Sequence, residues 1–338
     1  MAKIRAAIIG TGGMGRRHAE GLRAAPDRFD LVAACDTSPA RLGAFCDKFT
    51  PPKRTADWHQ VVRDPKVDAV LVLLPHDLHE TVCVESARAG KDILLEKPIA
   101  RTLAEADRII AAAEDAGVTL MIAHNQRFDP LHRKVRDILD SGRLGEIFAA
   151  RIDHHQNFFP SPDRAWWRSR EAVGGGCVIG SGIHRLDLLR WYLGEAEEVF
   201  AYHASDPRRL EAEVASVATI RFRGGAIAEF FCNWGAPAGP AVAGESLSLF
   251  GRQGCLYFDG AIRVSGPVDA GQSAPLAVVP AEGPCETMWV HFAECVESGR
   301  PPLTSGPQGR ASLELALAIV RAAEEGRPVR LPLGVMGE

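Results

Sequence analysis

A glycine-rich turn and a lysine later in the same half of the chain give the clearest chemical signal in the sequence. Lys97 stands in a Glu-Lys-Pro tripeptide directly after the apolar run 93–95, and the chain opens with an apolar run leading into Gly10-x-Gly12-x-x-Gly15. A lysine at the end of a late strand in a dinucleotide-binding domain is expected beside the nicotinamide ring. Its ammonium can there contact both the cofactor and a substrate hydroxyl, so the pairing points to hydride transfer involving an alcohol or a ketone.

The residue types in the glycine-rich turn suit the pyrophosphate of a dinucleotide. Gly10 permits a tight turn, a Cβ at Gly12 would collide with the phosphates, and Gly15 allows close packing of helix on strand. The N-terminus of the following helix offers backbone N–H groups and a positive dipole end to an anion. We therefore predict cofactor contacts along the whole turn, from Gly10, Thr11, Gly12, Gly13, Met14 and Gly15.

Asp36 is predicted to bind the ribose of the cofactor's adenosine. It follows a second apolar run, 29–35, and lies about 20 residues beyond Gly15, the spacing typical of such a carboxylate. It can accept hydrogen bonds from both ribose hydroxyls and would repel a 2′-phosphate, so NAD is expected. Arg41 is close enough in sequence to keep NADP open as an alternative.

Apolar runs and helical segments alternate through residues 1–127, which predicts a doubly wound parallel sheet. A helix over 102–116 is indicated by Thr102 with Glu105 three residues on, and Gly117 ends it. Ligands bind such sheets where the strands reach their carboxyl ends. The chemistry-bearing residues expected at that edge are Gly10, Asp36, Pro75, Lys97 and Asn125.

The alternation breaks near residue 128, and the remainder, 128–338, is expected to form a second domain. The runs 216–222 and 226–234 flank Gly224-Gly225, which predicts an antiparallel hairpin. Further strands are predicted at 147–155, 246–250 and 255–258, helices at 131–139, 286–298 and 311–325, and loops at 235–244 and 265–275.

Bulk composition excludes several classes of protein. The 338 residues are 46% hydrophobic and carry a net charge of −4, so no strong field for nucleic acid or an anionic membrane is expected. The eight cysteines contain no C-x-x-C pair and no zinc-ligand spacing, which favours reduced thiols in a cytoplasm and no metal. No signal peptide or membrane span is recognisable, since the longest apolar segment, 69–74, is too short to cross a bilayer.

The chain closely resembles the Gfo/Idh/MocA family of oxidoreductases. The matching residues are Gly10 to Gly15, Asp36, Pro75 with His79, Gly90-Lys91, Glu96-Lys97-Pro98, Asn125 to Phe128, Trp167-Arg168, Gly174 to Gly176, Gly182-x-His184-x-x-Asp187 and Trp191 to Gly194. The resemblance implies a Rossmann domain followed by an α/β domain with a large open, mostly antiparallel sheet. It also implies hydride transfer between a nicotinamide cofactor and a sugar, inositol or related polyol, with Pro75, His79, Glu96, Lys97 and Asn125 on the cofactor's side.

The same resemblance carries expectations about assembly. Family members form dimers or tetramers through the outer face of the antiparallel sheet, so a homodimer or homotetramer is expected. The last part of the chain, including 311–325, is expected to pack back near the first domain.

His184 is the candidate proton acceptor in the second half. Three preceding glycines, 174–176, suit a turn where backbone approaches a ligand. Asp187 follows at i+3, the same helix face, where it can orient the imidazole or contact substrate. His184 would take the hydroxyl proton as hydride leaves carbon, while Lys97 hydrogen-bonds the reacting oxygen. The two side chains are expected to meet in one cleft.

Position 180 departs from the resemblance. In sugar and inositol dehydrogenases of the family an aspartate usually stands four residues before the histidine, and here that residue is Gly180. Lys97 and His184 could suffice, which is the preferred explanation, or the substrate could differ from the usual polyols. Alternatively, a group on the neighbouring strand could replace the carboxylate: Asp153, His154, His155 or Gln156.

The segment 158–170 is rich in aromatic and arginine side chains, namely Phe158, Phe159, Trp166, Trp167, Arg164, Arg168 and Arg170. A packed loop with a solvated basic edge is the favoured interpretation. Stacking on a sugar ring, with Arg168 pairing to an acidic substrate group, is the alternative.

The leading functional hypothesis is an NAD-dependent dehydrogenase or reductase acting on a sugar-like alcohol. Gly180 leaves open a glycosidase or epimerase-type enzyme that retains NAD and oxidises its substrate transiently. A third hypothesis is a non-catalytic NAD-binding sensor, against which Lys97 and His184 argue because a sensor needs no proton acceptor.

Overall fold

The computed structural model describes residues 2–158, 160, 162–236, 244–266, 277–279 and 287–334, with backbone alone at 162–164. The chain forms two compact units, Met1–Asn125 with Glu286–Arg310, and Gln126–Cys285 with Ala311–Glu338. The predicted domains, 1–127 and 128–338, and the expected position of 311–325 stay predictions. The predicted loops at 235–244 and 265–275 lie largely outside the described residues.

The first unit contains a six-stranded parallel sheet. Its strands are β1 (Ile4–Ile9), β2 (Phe29–Cys35), β3 (Lys53–Thr55), β4 (Ala69–Val72), β5 (Asp92–Leu95) and β6 (Leu120–Ile122). They lie in the order β3-β2-β1-β4-β5-β6 with every pair parallel. The order reverses at β1, as in doubly wound sheets, and all four residues of β4 are buried, as expected for a strand covered on both faces.

Helices connect these strands, and local sequence explains how they begin and end. They are α1 (Gly13–Arg23), α2 (Pro39–Phe49), α3 (His59–Val62), α4 (His79–Arg88) and α5 (Leu103–Ala116). The Thr102 hydroxyl accepts a hydrogen bond from the Glu105 N–H at the start of α5, and Gly117 ends the helix at φ +65°. Both features of α5 predicted from the sequence are confirmed.

The second unit contains a nine-stranded sheet, ordered β14-β13-β12-β11-β7-β10-β9-β8-β15. Its strands are β7 (Ile147–His155), β8 (Ala196–Ser205), β9 (Glu213–Phe222), β10 (Ile227–Asn233), β11 (Gly244–Gly251), β12 (Cys255–Phe258), β13 (Ile262–Val264), β14 (Ala277–Val279) and β15 (Val329–Arg330). Only β7 and β10 pair in parallel among these described strands. The predicted fold class is confirmed: a doubly wound parallel sheet and a mostly antiparallel one.

The two faces of the nine-stranded sheet differ. Along β10, Phe230 and Cys232 are buried, whereas Ile227 is 58% exposed on the opposite face. A Cβ built on Gly182 would lie 2.8 Å from the Phe230 ring, so the segment leading into α8 (Ile183–Leu193) covers the buried, inner face. The helices of this part of the chain are α6 (Pro130–Asp140), α7 (Arg170–Val173) and α8 (Ile183–Leu193).

The segment 286–310 belongs to the first unit, whereas the expectation from the resemblance named the later residues 311–325. It contains α9 (Met288–Ser298) and the start of α10 (Gly306–Glu325). The Ile122 N–H donates to the Thr304 carbonyl at 2.8 Å, and the Thr304 hydroxyl donates to the Ile122 carbonyl at 2.7 Å. These bonds satisfy backbone groups at the edge of the parallel sheet, which explains why this segment is retained there. No helix among the described residues is long and apolar enough to cross a membrane.

Candidate active site

The glycine-rich turn has the geometry that the spacing predicted. Gly10 adopts φ +101°, and a Cβ there would lie 2.2 Å from the Leu73 carbonyl oxygen. A Cβ on Gly15 would lie 2.3 Å from the Gly10 carbonyl oxygen, but one on Gly12 would meet no atom within 4 Å. The protein's own packing therefore requires Gly10 and Gly15, whereas the space next to the Gly12 Cα is open.

The start of α1 is suited to an anion. Gly12 is the N-cap residue, so no side chain caps the first backbone N–H groups, and Gly13 begins the helix. Met14 is 40% exposed beside them. Together with the space at Gly12, these uncapped donors fit the pyrophosphate of NAD.

Asp36 lies at the carboxyl end of β2 and is held by several donors. Its carboxylate accepts from the Thr11 N–H at 2.9 Å, the Thr11 hydroxyl at 3.0 Å, the Ser38 N–H at 2.8 Å and Arg41 Nη2 at 2.9 Å. Although burial raises the pKa of Asp36, hydrogen bonds from Arg41, Ser38 and Thr11 bring it below its ordinary value. The group is therefore an ionised carboxylate, as ribose binding requires. Thr11, a predicted cofactor contact, is buried and directed at Asp36.

Lys97 is half-buried just beyond β5, and its peptide bond to Pro98 is cis. The buried Glu96 carboxylate accepts a hydrogen bond from the Lys97 backbone N–H at 3.1 Å. Glu96, which the resemblance placed on the cofactor's side, thus holds the lysine's backbone. Pro75 and Asn125 are both half-buried, at the starts of the turns that follow β4 and β6.

His79 does not have the surroundings of a cofactor contact. Its side chain is fully buried, and its ring nitrogens lie 3.0 Å from the carbonyl oxygens of Leu74 and Pro98. Burial lowers the pKa of His79 despite these contacts. The prediction is corrected: His79 braces the turn after Lys97 from within the core, because no part of it reaches solvent.

His184 stands out on α8 by its exposure. Between Ile183 and Arg190 all residues except His184 are buried, and His184 is half-buried. It follows a π-helical turn, Val178–Gly182, a distortion common at functional sites. An accessible imidazole on an otherwise enclosed helix is consistent with the predicted role. Because Lys97 and His184 belong to different units, their expected meeting in one cleft stays a prediction.

Asp187 anchors α8 from inside the second unit. Its side chain is fully buried and accepts two hydrogen bonds from Arg127, at 2.7 and 2.8 Å, and one from the Ser312 hydroxyl at 2.8 Å. The prediction of Asp187 as a substrate contact is corrected, since a carboxylate so enclosed is inaccessible. Its ion pair resists disruption because removing one partner of a buried pair costs about 3–5 kcal/mol.

The other predicted substrate contacts lie elsewhere in the second unit. His155 is on the outer face of the sheet, where its ring meets Phe231 at 5.0 Å between centroids. This is the face opposite α8, because successive strand residues alternate sides, so the prediction for His155 is corrected. Arg168 is half-buried at the end of a 3₁₀ helix and donates to the Arg208 carbonyl at 2.8 Å. Phe159 lies outside the described residues, as does the side chain of Arg164.

The inner face next to α8 instead presents His154 beside Glu245. Glu245 lies 2.5 Å from Arg185 and 3.0 Å from His132, so its charge is shared between two partners. Burial, followed by the charge of Arg185, lowers the pKa of His154 to about 4. This buried cluster was missed because its four members come from four distant segments with no common spacing. No group of three or more metal-binding side chains occurs within the part of the chain that the structure describes.

The comparison with known proteins agrees with this fold and these motifs. Residues 4–124 match the GFO_IDH_MocA oxidoreductase family with its NAD-binding Rossmann fold, and residues 132–257 match the GFO/IDH/MocA C-terminal domain. The chain belongs to this family. It is therefore an oxidoreductase with an NAD-binding Rossmann unit, as the resemblance predicted.

Several relatives align over nearly the full chain. The 1,5-anhydro-D-fructose reductase of Ensifer adhaerens is 32% identical over 90% of this chain and 92% of its own length. The myo-inositol 2-dehydrogenase of Thermotoga maritima is 28% identical over 97% and 98%. Among solved structures, an aldose-aldose oxidoreductase from Caulobacter crescentus complexed with glycerol has a TM-score of 0.87 and 28% identity, covering 98% of this chain and 100% of that one.

The departure at position 180 of this family member has a direct structural explanation. A Cβ on Gly180 would lie 2.1 Å from the Trp234 indole and 2.9 Å from the Trp167 indole. Trp234 donates a 2.6 Å hydrogen bond to the Ser181 hydroxyl and packs on Phe158, 4.4 Å between centroids. Aromatic rings therefore fill the place of a side chain at 180, an aspartate included. No local pattern pointed to Trp234, which is distant in sequence.

The glycine run before α8 faces protein rather than a ligand. A Cβ on Gly176 would lie 2.1 Å from the Glu213 carbonyl oxygen. The Glu213 carboxylate accepts from the Gly176 N–H at 3.1 Å and the Val178 N–H at 3.0 Å. Burial raises the pKa of Glu213 above its ordinary value, against these hydrogen bonds. The expectation that these glycines approach a ligand is therefore replaced by close packing against β9.

Gly180→Ala is expected to destabilise the second unit by about 1–3 kcal/mol, because its methyl group would overlap the Trp234 indole. Thermal unfolding followed by circular dichroism measures the loss. The matched control is Gly224→Ala, whose Cβ would have no neighbour closer than 4.0 Å, so its effect should stay within about 0.5 kcal/mol. In a Trp234→Leu background the penalty at 180 should shrink; an equal penalty in both backgrounds would contradict the proposed collision.

Proposed function

We propose that this protein transfers hydride between NAD(H) and a secondary alcohol or ketone of a sugar, inositol or related cyclic polyol. The observation that carries the proposal is the position of Lys97. It follows β5 at the carboxyl edge of the same sheet that presents Gly12 and Asp36. The named relatives support the substrate class, since they act on an anhydrofructose and on myo-inositol.

The roles of the two side chains follow from their chemistry. In the oxidative direction Lys97 donates a hydrogen bond to the substrate oxygen, and its positive charge stabilises the alkoxide as it forms. The neutral imidazole of His184 accepts the hydroxyl proton. Bound NAD supplies the hydride acceptor. In the reductive direction the imidazolium returns the proton to the carbonyl oxygen.

Purified protein with NAD, screened against sugars, inositols and sugar acids by absorbance of reduced nicotinamide, tests the reaction. Lys97→Met and His184→Asn should each lower kcat by about 10²–10⁴-fold while NAD still binds. Lys66→Met, which removes an exposed lysine of the same unit, is the control and should be fully active. If both groups act on one substrate, the double variant should lose less than the product of the single losses.

The same screen separates the rival functions. Product formed without net reduction of NAD would favour a glycosidase or epimerase-type enzyme that retains its cofactor. NAD binding with no turnover of any compound would favour a sensor. Full activity of Lys97→Met would overturn the role assigned to that lysine.

We further propose that the cofactor is NAD rather than NADP, because an ionised carboxylate at Asp36 repels a 2′-phosphate. Asp36→Ala should raise the Kd for NAD and relax discrimination against NADP, since Arg41 loses its ion-pair partner and becomes available to a phosphate. Fluorescence titration with both cofactors measures this. Asp30→Ala, which removes an exposed carboxylate of β2, should leave both affinities unchanged. An unaltered preference in Asp36→Ala would remove it from the ribose site.

We also propose that the protein is a homodimer or homotetramer joined through the outer face of the nine-stranded sheet. Tyr202, Val217 and Phe231 form a row across three strands there, with Tyr202 69% exposed. A groove of about 300 Å³ lies on the same sheet, beside Ile227. Cytoplasmic location and the absence of nucleic-acid and membrane partners remain predictions.

Light scattering after size exclusion should give a dimer or tetramer mass. Ile227→Asp should reduce it by placing a charge in the apolar contact. Leu78→Asp, at an exposed leucine of the first unit, is the control and should keep the wild-type mass. A monomer mass for the wild-type protein would contradict the proposed assembly.

A further inference from the structure

A line of hydrogen bonds inside the first unit runs from the returning helix α9 to the backbone of Lys97. The Trp289 indole N–H donates to His18 Nδ1 at 3.2 Å. His18 Nε2 lies 3.0 Å from Glu96 Oε1, and Glu96 Oε2 accepts from the Lys97 N–H at 3.1 Å. Four residues from three segments of the chain are thus joined in series.

The direction of these bonds is fixed by the first of them. An indole nitrogen can only donate, so His18 Nδ1 must carry a lone pair and accept. The proton of the neutral ring is then on Nε2, which donates to Glu96. Trp289 therefore selects the tautomer of His18 that supplies a donor to the carboxylate.

Glu96 depends on that donor because it is buried. Glu96 is 8% exposed and His18 is 1% exposed. Burial raises the pKa of Glu96, but the hydrogen bond from His18 and the positive charge of Lys97 bring it below its ordinary value. A buried carboxylate without such partners would become protonated.

The Trp289 side chain packs directly against α1. A Cβ on Gly21 would lie 2.1 Å from the Trp289 ring, so a glycine is required for the indole to lie against this helix. The ring also meets His18 edge to face, with centroids 5.7 Å apart. The contact is thus specific in both packing and hydrogen bonding.

We propose that Trp289, His18 and Glu96 form a positioning network that fixes the backbone of Lys97 and keeps a negative charge on the residue next to it in the chain. The inference rests on the proposed function of Lys97. None of the three residues needs to touch substrate. Removing the negative charge should make the ammonium lose its proton more readily, which impairs turnover at alkaline pH.

The titratable groups facing Glu96 come from each neighbouring element. They are His18 on α1, Lys97 beside it in the chain, and His79 on α4, whose pKa Glu96 raises in opposition to burial. His79 is buried, and its ring nitrogens lie 3.0 Å from the carbonyl oxygens of Leu74 and Pro98. Because burial lowers the pKa of His79, this residue does not titrate on the alkaline limb, which reports on Lys97.

The test is the pH profile of kcat for matched variants in the holoenzyme. Glu96→Gln removes the charge, and His18→Leu removes the donor that keeps Glu96 ionised. Both should lower the pH at which kcat falls on the alkaline side of the profile by about one unit. At a fixed pH on that limb, kcat should therefore be about tenfold lower. His18→Gln keeps an N–H donor toward Glu96 and should restore the wild-type limb.

Trp289→Phe guards against variants that fail to fold. It removes the indole N–H and leaves a smaller aromatic ring against Gly21, so the His18 proton can occupy either nitrogen, and the limb should shift by less than in His18→Leu. Circular dichroism and NAD titration establish folding. A wild-type limb in every folded variant would overturn the network. Full activity of Lys97→Met would instead overturn the proposed function on which the network rests.

Discussion

The hydrogen bond between His18 and Glu96 is the interaction on which the candidate site of the first unit depends. It keeps a carboxylate ionised inside the protein, and that carboxylate fixes the backbone of the one lysine suited to the chemistry. Since His18 is on α1, the helix whose N-terminus is suited to the pyrophosphate, cofactor contact and lysine placement share a single rigid element. The returning segment that supplies Trp289 therefore helps to position the site residues, although it is far from the glycine-rich turn in sequence.

The second unit follows the same physical rule with different residues. Buried charge is tolerated where it is paired, and the buried pair of Arg127 with Asp187 fixes α8 much as Glu96 fixes Lys97. The residues of α8 therefore have two different roles. Its enclosed residues hold the helix, and His184 retains the exposure that a proton acceptor requires. Asp187 therefore supports the histidine's helix from the core, where substrate has no access.

Local patterns predicted most of the first unit because the rules that shape it act over short distances. The turn at Gly10 needs a positive φ, α5 needs a cap at Thr102, and β4 needs an unbroken apolar run, and each requirement is met within a few residues. The hairpin of β9 and β10 was predictable for the same reason. The edge bonds between Ile122 and Thr304 involve residues 182 positions apart, and no periodicity encodes such a partner.

Side-chain roles were predictable only where they follow from position along an element. His155 and His154 are adjacent in sequence and on opposite faces of β7, so a strand prediction without register could not choose between them. Gly180 shows the limit most directly. From sequence it was an absent carboxylate, whereas in three dimensions it is a contact site for Trp234. An aspartate at position 180 would collide with the indole that donates to Ser181, so packing couples the glycine at this position to Trp234.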